Sequence, residues 1–438
     1  MARILTTPFL RGLVVESPHR SLREHLEPYG IETTWADAVP STDALIEALQ
    51  ASRAHVLFKR SRITVSRRVL EACPDLHAVQ LCCIGDDSVD KEAAAEHGVM
   101  VFNDPVSNAR SVVELAIGHL ISLSRRLYET NAATHLHGFD KSDAERFEVE
   151  GKILGVLGLG NIGRQTARAA EALGMRIRFY DSRPVAMEVG QEMGWKRCES
   201  MVDLFRSSDY ITCHTSAKDA WGKDNEGLLD EVLSQLGADR PKESPRIFLN
   251  LARGNLHSSD ALNEAVTSGA IRRAAVDVYP DEPRPGSKWE NPYAAQERIV
   301  CTPHIGAATQ EAQPRIAARV ARTLGQFSRF GTLRDCVYAP RAVMAAAPPQ
   351  PGNAVLAVVH STQRGTKKAV SDAIYEAGAS TLASMHEDFP NGLAYDLSVL
   401  DRPLSADELN GLVTHATDTA GDRNAIRAVR QIVIESGW

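Results

Sequence analysis

The sequence predicts an α/β protein with two doubly wound parallel sheets and a smaller C-terminal α+β domain. Short apolar segments alternate with helical patterns over the first hundred residues and again between residues 153 and 278. This alternation is typical of parallel strands joined by right-handed helical crossovers. A proline- and alanine-rich segment at 339–352 then precedes a third region of strand and helix patterns, so we expect a separate domain there.

Composition narrows the class of protein. A chain of 438 residues exceeds the size at which a single core stops growing, so two or three domains are expected. With 43% hydrophobic and 24% charged residues and a net charge of -7, the pattern indicates a globular protein without general attraction to nucleic acid or acidic membranes. The seven cysteines show no zinc-type spacing, so we predict reduced thiols, no metal site and a cytoplasmic protein with no secretory signal.

The first hundred residues contain four short buried strands, predicted at 13–15, 55–58, 78–82 and 100–102. Helical patterns lie between them at 42–49, 65–71 and 91–96. No glycine-rich phosphate turn follows any of these strands. We therefore expect this first sheet to bind something other than a dinucleotide.

A glycine-rich turn follows the apolar strand predicted at 153–157. Gly158 permits a tight turn, Gly160 lets the backbone approach a pyrophosphate, and Gly163 lets the following helix pack against the strand. The amino terminus of that helix offers unpaired N–H groups and a partial positive charge to phosphates. This context predicts a dinucleotide site, which a lone glycine motif would not.

An acidic residue completes this pattern. A second strand, predicted at 175–180, ends on Asp181, where a carboxylate can accept hydrogen bonds from the adenosine ribose. The carboxylate would repel a 2′-phosphate, so NAD is favoured over NADP, although Arg183 weakens that preference. The alternative, a strand-turn-helix with no ligand, leaves Asp181 unexplained.

The rest of the chain follows the same alternation. A long helix is predicted at 111–127, and further strands at 210–213, 247–251 and 274–278. A charged, glycine-rich segment near 216–245 resembles a surface insertion with one amphipathic helix at 228–236. An alanine-rich helix extends to about residue 326, and 354–438 is predicted to form strand, helix, strand, helix and strand.

Several further motifs accompany the glycine turn. In chain order they are Lys59-Arg60-Ser61-Arg62, Cys83-Ile84-Gly85, Asn108-Ala109-Arg110-Ser111-Val112-Val113-Glu114, the glycine turn itself, Leu251-Ala252-Arg253-Gly254, Asp277-Val278-Tyr279-Pro280-Asp281-Glu282-Pro283 and Thr302-Pro303-His304. These motifs, in this order, resemble the D-isomer-specific 2-hydroxyacid dehydrogenase family, and within it the bacterial D-3-phosphoglycerate dehydrogenases. The likeness covers nearly all of residues 10–340.

The resemblance implies a domain organisation. A substrate-binding domain at 1–107 and 301–338 would be split around an inserted Rossmann NAD-binding domain at 108–300, with the active site in the cleft. The linker at 339–352 would lead to an ACT-like regulatory or oligomerisation domain at 353–438. The resemblance also implies a homodimer or homotetramer.

Three residues suit the chemistry of an NAD-dependent 2-hydroxyacid dehydrogenase. His304 is the candidate base for the hydroxyl proton, and Glu282 is its candidate carboxylate partner. Arg253 suits a bidentate grip on the substrate carboxylate. The resemblance assigns these residues the same roles. The alternatives are a helix cap for His304, a surface ion pair for Arg253 and an exposed loop charge for Glu282.

The cofactor residues implied by the resemblance surround these three. Asp277 matches the residue that holds the nicotinamide carboxamide; the alternative is a buried acid paired to backbone. The full set is Gly158, Gly160, Asn161, Ile162, Gly163, Asp181, His214, Leu251, Ala252, Asp277, Gly306 and Ala307.

The prediction of the substrate rests on the basic cluster Lys59-Arg60-Ser61-Arg62, which follows the strand predicted at 55–58. The resemblance places a phosphorylated 2-hydroxy or 2-oxo acid near these side chains, with Lys141 contributed by a neighbouring subunit; the alternative is a solvated basic loop. The implied substrate residues are Arg60, Ser61, Cys83, Ile84, Gly85, Asn108 and Lys141. Asp86 and Asp87 depart from the family pattern and would disfavour an anion if they faced it, so a phosphonate-bearing or other dianionic acid stays open.

The C-terminal region resembles the ACT module that senses serine. His360 and Gly365 align with its ligand loop, but Thr362 and Ser380 replace asparagine amides, and hydroxyls offer fewer donors. We therefore expect weak or absent serine inhibition and a role in subunit contact. A function from another class also stays open, namely a non-catalytic NAD-sensing protein similar to the corepressors that resemble these enzymes.

Overall fold

The structure is a computed structural model that describes residues 2–7, 9–36, 39–218, 223–283, 288–339, 342–346 and 349–435. The chain divides into two compact units, Met1–Ser107 with Gln313–Trp438, and Asn108–Ala312. Among the described residues, no helix combines the length and the apolar character needed to cross a membrane.

The first hundred residues build a five-stranded parallel sheet in the order β3-β2-β4-β5-β6. The elements are β1 (Arg3–Leu5), β2 (Arg11–Val15), α1 (Ser21–Leu26), β3 (Glu32–Ala36), α2 (Thr42–Ser52), β4 (Val56–Lys59), α3 (Arg67–Ala72), β5 (Ala78–Leu81), α4 (Lys91–Glu96) and β6 (Met100–Phe102). The four predicted strands and three predicted helices are confirmed, with small shifts at their ends. The edge strand β3 was missed because it carries no buried apolar run that would reveal it.

The second unit contains a seven-stranded parallel sheet in the order β13-β12-β11-β10-β7-β8-β9. The elements are α5 (Ala109–Arg125), α6 (Leu127–His135), β7 (Ile153–Leu157), α7 (Asn161–Ala172), β8 (Arg176–Tyr180), α8 (Pro184–Glu192), β9 (Lys196–Arg197), α9 (Met201–Arg206), β10 (Tyr210–Cys213), β11 (Ile247–Asn250), α10 (Ser259–Thr267), β12 (Arg273–Val276) and β13 (Ile299–Cys301). Strand order reverses between β7 and β10, the point where doubly wound sheets bind ligands beyond the strand ends.

The long helix predicted at 111–127 is confirmed as α5 (Ala109–Arg125), with small shifts at its ends. Arg126, which adopts a left-handed conformation with φ of 55°, separates it from α6. The other helix prediction in this unit was wrong. The helix predicted at 228–236 is a series of turns with a short 3-10 helix at Leu233–Gln235. Leu229 and Leu233 are nevertheless buried, so their apolar spacing reflects packing of turns rather than a helix. Residues 219–222 of this segment lie outside the described residues.

The C-terminal module contains two helices and a five-stranded sheet in the order β1-β17-β14-β16-β15. After α11 (Ala312–Phe330) its elements are β14 (Ala354–Ser361), α12 (Thr366–Glu376), β15 (Thr381–Asp388), β16 (Leu393–Leu400), α13 (Ala406–Ala420) and β17 (Ile426–Val433). The prediction missed one strand of the β15-β16 hairpin, because β15 is largely exposed. It also missed β1, which pairs in parallel with β17 rather than with the first sheet.

A buried carboxylate anchors the start of β7. Asp209 is 1% exposed, and its Oδ2 accepts a hydrogen bond from the Ile153 amide at 2.8 Å. Its Oδ1 accepts from Arg240 Nε at 2.9 Å, so one side chain ties the insertion to the central strand.

Replacing this carboxylate tests whether the anchor stabilises the second unit. We expect Asp209→Ala to lower the free energy of unfolding by about 3–5 kcal/mol, because it leaves a largely buried arginine and an amide unpaired. Asp239→Ala is the matched control, since Asp239 pairs with Arg206 at the surface and should change it by about 1 kcal/mol or less. Urea unfolding of the full chain measures both. Equal losses of unfolding free energy in the two variants would contradict the anchoring role of Asp209.

Candidate active site

One buried carboxylate organises the loop that carries His304. Asp277 directly follows β12 and is 1% exposed. Its Oδ1 accepts hydrogen bonds from the Thr302 hydroxyl at 2.6 Å and from the Ile305 amide at 2.9 Å. Its Oδ2 accepts from the Gly306 amide at 2.8 Å. These three bonds fix the backbone on both sides of His304.

His304 is held in an unusual backbone conformation and paired with an acid. Its φ of 52° is left-handed, which non-glycine residues rarely adopt without compensating contacts. Its Nδ1 donates to Glu282 Oε2 at 2.8 Å, with the tautomer inferred from the acceptor. This bond leaves Nε2 as the nitrogen able to exchange a proton with a ligand.

The surroundings of His304 raise its pKa above the ordinary value. The hydrogen bond to Glu282 has the largest effect and favours the imidazolium form, while partial burial and the positive charge of Arg253 oppose it. Because the pKa is higher in the folded state, this contribution to stability is present below the unfolded pKa. It is lost as pH rises through the folded pKa.

Arg253 follows β11 on a braced loop. The buried Asn250 side chain donates to the Arg253 carbonyl at 2.9 Å and accepts from the Ala252 amide at 3.1 Å. Gly254 explains how this loop meets the next one, because a Cβ on it would lie 2.0 Å from the Tyr279 carbonyl carbon. Only glycine permits this approach, which brings the loops after β11 and β12 together.

These contacts bring the three predicted catalytic residues onto adjacent loops of one unit. Arg253 lies near enough to His304 to influence its pKa, and Glu282 bonds it directly. A base, an acid that orients it and a guanidinium are therefore grouped at the carboxyl ends of β11, β12 and β13. This arrangement can accept a proton from a hydroxyl group beside a carboxylate.

The glycine turn at the end of β7 has the geometry of a phosphate cradle. Gly158 has φ of 88°, and a Cβ there would lie 2.8 Å from the His214 backbone. A Cβ on Gly163 would lie 2.1 Å from the Gly158 carbonyl oxygen. Gly160 forms the amino-terminal cap of α7, so the first amides of that helix lie at the turn.

Asp181 lies at this turn but already has several partners. Its carboxylate accepts from the Leu159 amide at 2.7 Å, from the Arg183 amide at 2.8 Å and from the Arg183 guanidinium at 2.7 and 2.9 Å. Burial opposes ionisation, but the bonds from Arg183 and Leu159 outweigh it and lower the pKa of Asp181. A ribose hydroxyl at Asp181 would therefore share the carboxylate with Arg183.

The remaining predicted cofactor residues also belong to the second unit. Leu251 and Ala252 are buried beside Arg253, and Gly306 is fixed by Asp277. Burial lowers the pKa of His214 to about 4, and its Nε2 bonds the Thr212 hydroxyl at 3.0 Å. The other positions are Asn161 and Ile162 in the first turn of α7, and Ala307 after Gly306.

The predicted anion cluster of the first unit is partly structural. Lys59 is completely buried, and its Nζ donates to the Arg60 carbonyl at 2.6 Å and to the Ser88 hydroxyl at 2.7 Å. The Glu16 carboxylate accepts from the amides of Arg60 and Arg62, each at 2.6 Å, and of Ile63 at 2.8 Å. These three amides are therefore already used, and the side chains of Arg60 and Ser61 remain as candidate donors for an anion.

The other predicted substrate residues lie on the loop after β5, before α5 and on the exposed segment after α6. Cys83 and Gly85 share a loop with Ile84, and Asp86 pairs with Lys91 at 2.9 Å, which offsets its charge. Asn108 is buried before α5, and its Oδ1 has no hydrogen-bond partner in the described structure. The exposed Lys141 ammonium lies 5.3 Å from the Phe139 ring centroid.

Sequence reasoning missed the residues that support this site. Thr302 and Glu16 act through hydrogen bonds to segments distant in sequence, which no local pattern reveals. Asn250 braces its own loop, and the only signals were that it directly precedes a predicted site motif and that Thr302 belongs to one.

The chain is similar to known dehydrogenases in sequence. Residues 117–306 match the model of the D-isomer specific 2-hydroxyacid dehydrogenase, NAD binding domain. D-3-phosphoglycerate dehydrogenase of Escherichia coli K12 is 32% identical over 376 residues, 85% of this chain and 87% of its own. The Dictyostelium discoideum protein of the same name is 32% identical over 373 residues, 85% and 87% of the two chains.

Solved structures show the same fold. The Escherichia coli D-lactate dehydrogenase structure matches with a TM-score of 0.59 at 25% identity, covering 73% of this chain and 97% of that one. The NAD+-bound 3-phosphoglycerate dehydrogenase of Entamoeba histolytica matches with a TM-score of 0.60 at 21% identity, covering 75% and 98%.

The His304–Glu282 contact predicts a measurable titration. In an NMR pH titration of the histidine ring protons, we expect the pKa of His304 to exceed the ordinary value of about 6.5. Glu282→Gln should lower it, because the anionic acceptor is lost. Asp281→Asn is the matched control, since Asp281 makes no recorded hydrogen bond to His304 in the described structure, and it should leave the titration nearly unchanged. If the pKa of His304 is the same in Glu282→Gln as in the wild type, the pairing of His304 with Glu282 is contradicted.

Proposed function

The chain belongs to the D-isomer-specific 2-hydroxyacid dehydrogenase family, and we propose that it transfers a hydride between a D-2-hydroxy acid and NAD. The observation that carries the proposal is the Glu282–His304 pair, on a loop clamped by Asp277 and adjacent to the Arg253 loop. An imidazole paired with a carboxylate in a left-handed loop segment carries a cost in stability and is typical of a catalytic base.

The residues of the second unit fit a dinucleotide. The backbone of Gly158 and Gly163 leaves no space for side chains, so the turn can approach a pyrophosphate closely. The helix amino terminus at α7 supplies donors for it. NAD, when bound, accepts or returns the hydride at the nicotinamide ring.

The residues of the chain perform the proton and binding steps. In alcohol oxidation His304 Nε2 takes the hydroxyl proton, and Glu282 stabilises the resulting imidazolium. Arg253 binds the substrate carboxylate and polarises the oxygen that changes from hydroxyl to carbonyl. In the reverse direction the imidazolium returns the proton to that oxygen.

The substrate we propose is phosphorylated, of the 3-phosphoglycerate type. The curated relatives named above are D-3-phosphoglycerate dehydrogenases, and Arg60 and Ser61 offer side-chain donors for a second anion. Since Glu16 accepts from three amides of this turn, recognition there would depend mainly on the Arg60 guanidinium. The Lys91 partner of Asp86 reduces the repulsion expected from that carboxylate. A phosphonate-bearing or other dianionic 2-hydroxy acid, the alternative substrate, would also bind the Arg60 guanidinium.

The domain roles are part of the proposal. Residues 1–107 and 301–338 would bind the substrate, residues 108–300 the cofactor, and residues 353–438, after the 339–352 linker, would form an ACT-like module. The β14-α12-β15-β16-α13-β17 order supports this assignment, being the βαββαβ arrangement of ferredoxin-like domains. Thr362 donates to the Gly392 carbonyl at 3.3 Å, which supports weak serine sensing because that hydroxyl is already engaged.

A homodimer or homotetramer is the proposed assembly, in the cytoplasm. Helix α6 has no buried residue, and Leu136 and Phe139 beyond it are 82% and 83% exposed. Exposed apolar side chains of this size commonly mark a contact with another chain. The cysteine pattern suits a reducing compartment.

Hydride transfer is tested with a panel of 2-hydroxy acids and NAD, followed by absorbance of the reduced cofactor. We expect turnover with the wild type, and His304→Ala should reduce it by about 10²–10⁴ while NAD affinity changes little. His25→Ala, a surface histidine on α1, is the control and should retain activity. Wild-type protein that binds NAD but oxidises no acid would instead favour the NAD-sensing alternative.

Arg60 is tested by comparing phosphorylated and unphosphorylated 2-hydroxy acids. Arg60→Ala should raise KM for the phosphorylated acid by about 10–100-fold, because a charge-assisted contact is lost. KM for the unphosphorylated acid should change little. Arg62→Ala, an exposed arginine in the same turn, is the matched control. An equal effect on both acids would refute this assignment of Arg60.

A further inference from the structure

Three strands of the C-terminal sheet bring together His360, His386 and Asp396. His386 on β15 is directly opposite Asp396 on β16, and His360 on β14 lies two residues from Val358, the partner of Asp396 on the other side. One nitrogen of each ring and a carboxylate oxygen all lie within 4.8 Å of one another. The proposed dehydrogenase reaction uses none of these three side chains, and the sequence analysis predicted no metal site.

Every ring nitrogen of the two histidines faces an oxygen acceptor. His360 Nε2 is 3.0 Å from Asp396 Oδ2, and His386 Nδ1 is 2.9 Å from Asp396 Oδ1. His360 Nδ1 is 2.8 Å from the Ser361 carbonyl, and His386 Nε2 is 2.9 Å from Asp388 Oδ1. Two neutral imidazoles have one N–H each, which satisfies only two of the four contacts. The other two contacts require additional positive charge, such as one divalent cation.

The outer contacts select which nitrogens would bind that cation. An N–H on His360 Nδ1 can donate to the Ser361 carbonyl, and an N–H on His386 Nε2 can donate to Asp388. The remaining nitrogens, His360 Nε2 and His386 Nδ1, then present lone pairs on either side of Asp396. Histidines that ligate metals have this second hydrogen bond to a carbonyl or carboxylate, which fixes their tautomer and orientation.

We propose that His360, His386 and Asp396 bind a divalent transition metal ion of the zinc type. Two imidazoles and one carboxylate are a donor set typical of zinc and related ions, and a hard ion such as Mg²⁺ prefers oxygen ligands. Bonds of about 2.0–2.2 Å in a tetrahedral site separate the ligand atoms by roughly 3.3–3.6 Å. His360 Nε2 and His386 Nδ1 lie 3.0 and 2.9 Å from different oxygens of Asp396, and the three ligand atoms all lie within 4.8 Å of one another, so small side-chain rotations would give this geometry.

Burial gives the site both rigidity and an entrance. His360 and Asp396 are 1% and 7% exposed, whereas the His386 side chain keeps 19% of its surface exposed. An ion can therefore enter beside His386, and a water can complete its coordination. The ion would connect β14 with both strands of the β15-β16 hairpin, close to the hairpin turn. It would therefore stabilise the C-terminal module.

The site is tested by calorimetric titration of the chelator-treated full chain with Zn²⁺, with Mg²⁺ as the control ion. We expect the wild type to bind one equivalent more Zn²⁺ than His386→Gln, and Mg²⁺ should not bind at this site. Asp388→Ala removes only the outer hydrogen bond to His386 Nε2 and should weaken binding of this equivalent by about 10–100-fold. His415→Gln, a histidine of α13 outside the cluster, is the matched control and should bind as the wild type does.

Optical spectra with Co²⁺ give a second readout on the same proteins. The wild type and His415→Gln should show the absorption bands of a low-coordinate nitrogen and oxygen site, and His386→Gln should not. Wild-type and His386→Gln proteins with equal Zn²⁺ stoichiometry and equal Co²⁺ spectra would overturn the proposal. Folding of His386→Gln is checked by far-UV circular dichroism of the chelator-treated full chain, which should match that of the chelator-treated wild type.

Discussion

The hydrogen bonds to Asp277 are the constraint on which the candidate active site depends. One carboxylate that is 1% exposed accepts bonds from Thr302, Ile305 and Gly306, and these bonds hold His304 in a left-handed conformation that its own preferences oppose. With the backbone fixed, a single contact to Glu282 suffices to orient the imidazole. Asp277 directly follows β12, so the position of the catalytic base, His304, is fixed relative to the sheet. Loss of this anchor would release the loop before it affected the rest of the fold.

Much of this arrangement could be predicted because it is local. The glycine turn, the apolar strands and the residues that directly follow them are short patterns whose geometry is set by neighbouring residues. Parallel strands place their carboxyl ends together, which is why Arg253, Glu282 and His304 could be grouped before their distances were known. The family resemblance agreed with this grouping and supplied the roles, while the structure added the contacts that make those roles physically possible.

What could not be predicted depends on contacts between distant segments. Glu16, which follows β2 more than forty residues away, accepts from three amides of the turn at Arg60. Arg183 is close to Asp181 in sequence, but its bonds to that carboxylate depend on a side-chain rotamer that no pattern specifies. The pairing of β1 with β17 joins the two ends of the chain. The cluster of His360, His386 and Asp396 likewise exists only once three strands adopt their register, because these residues have no metal-binding spacing in the sequence.

The account rests on His304 serving a hydride transfer, so the direct measurement follows the hydride itself. The protein would be incubated with NAD and a D-2-hydroxy acid carrying deuterium at C2, and the reduced cofactor would be analysed by mass spectrometry. The account predicts that the reduced cofactor gains one deuterium from the acid in ordinary water. Reduced cofactor without deuterium, or none above the level given by His304→Ala, would contradict it.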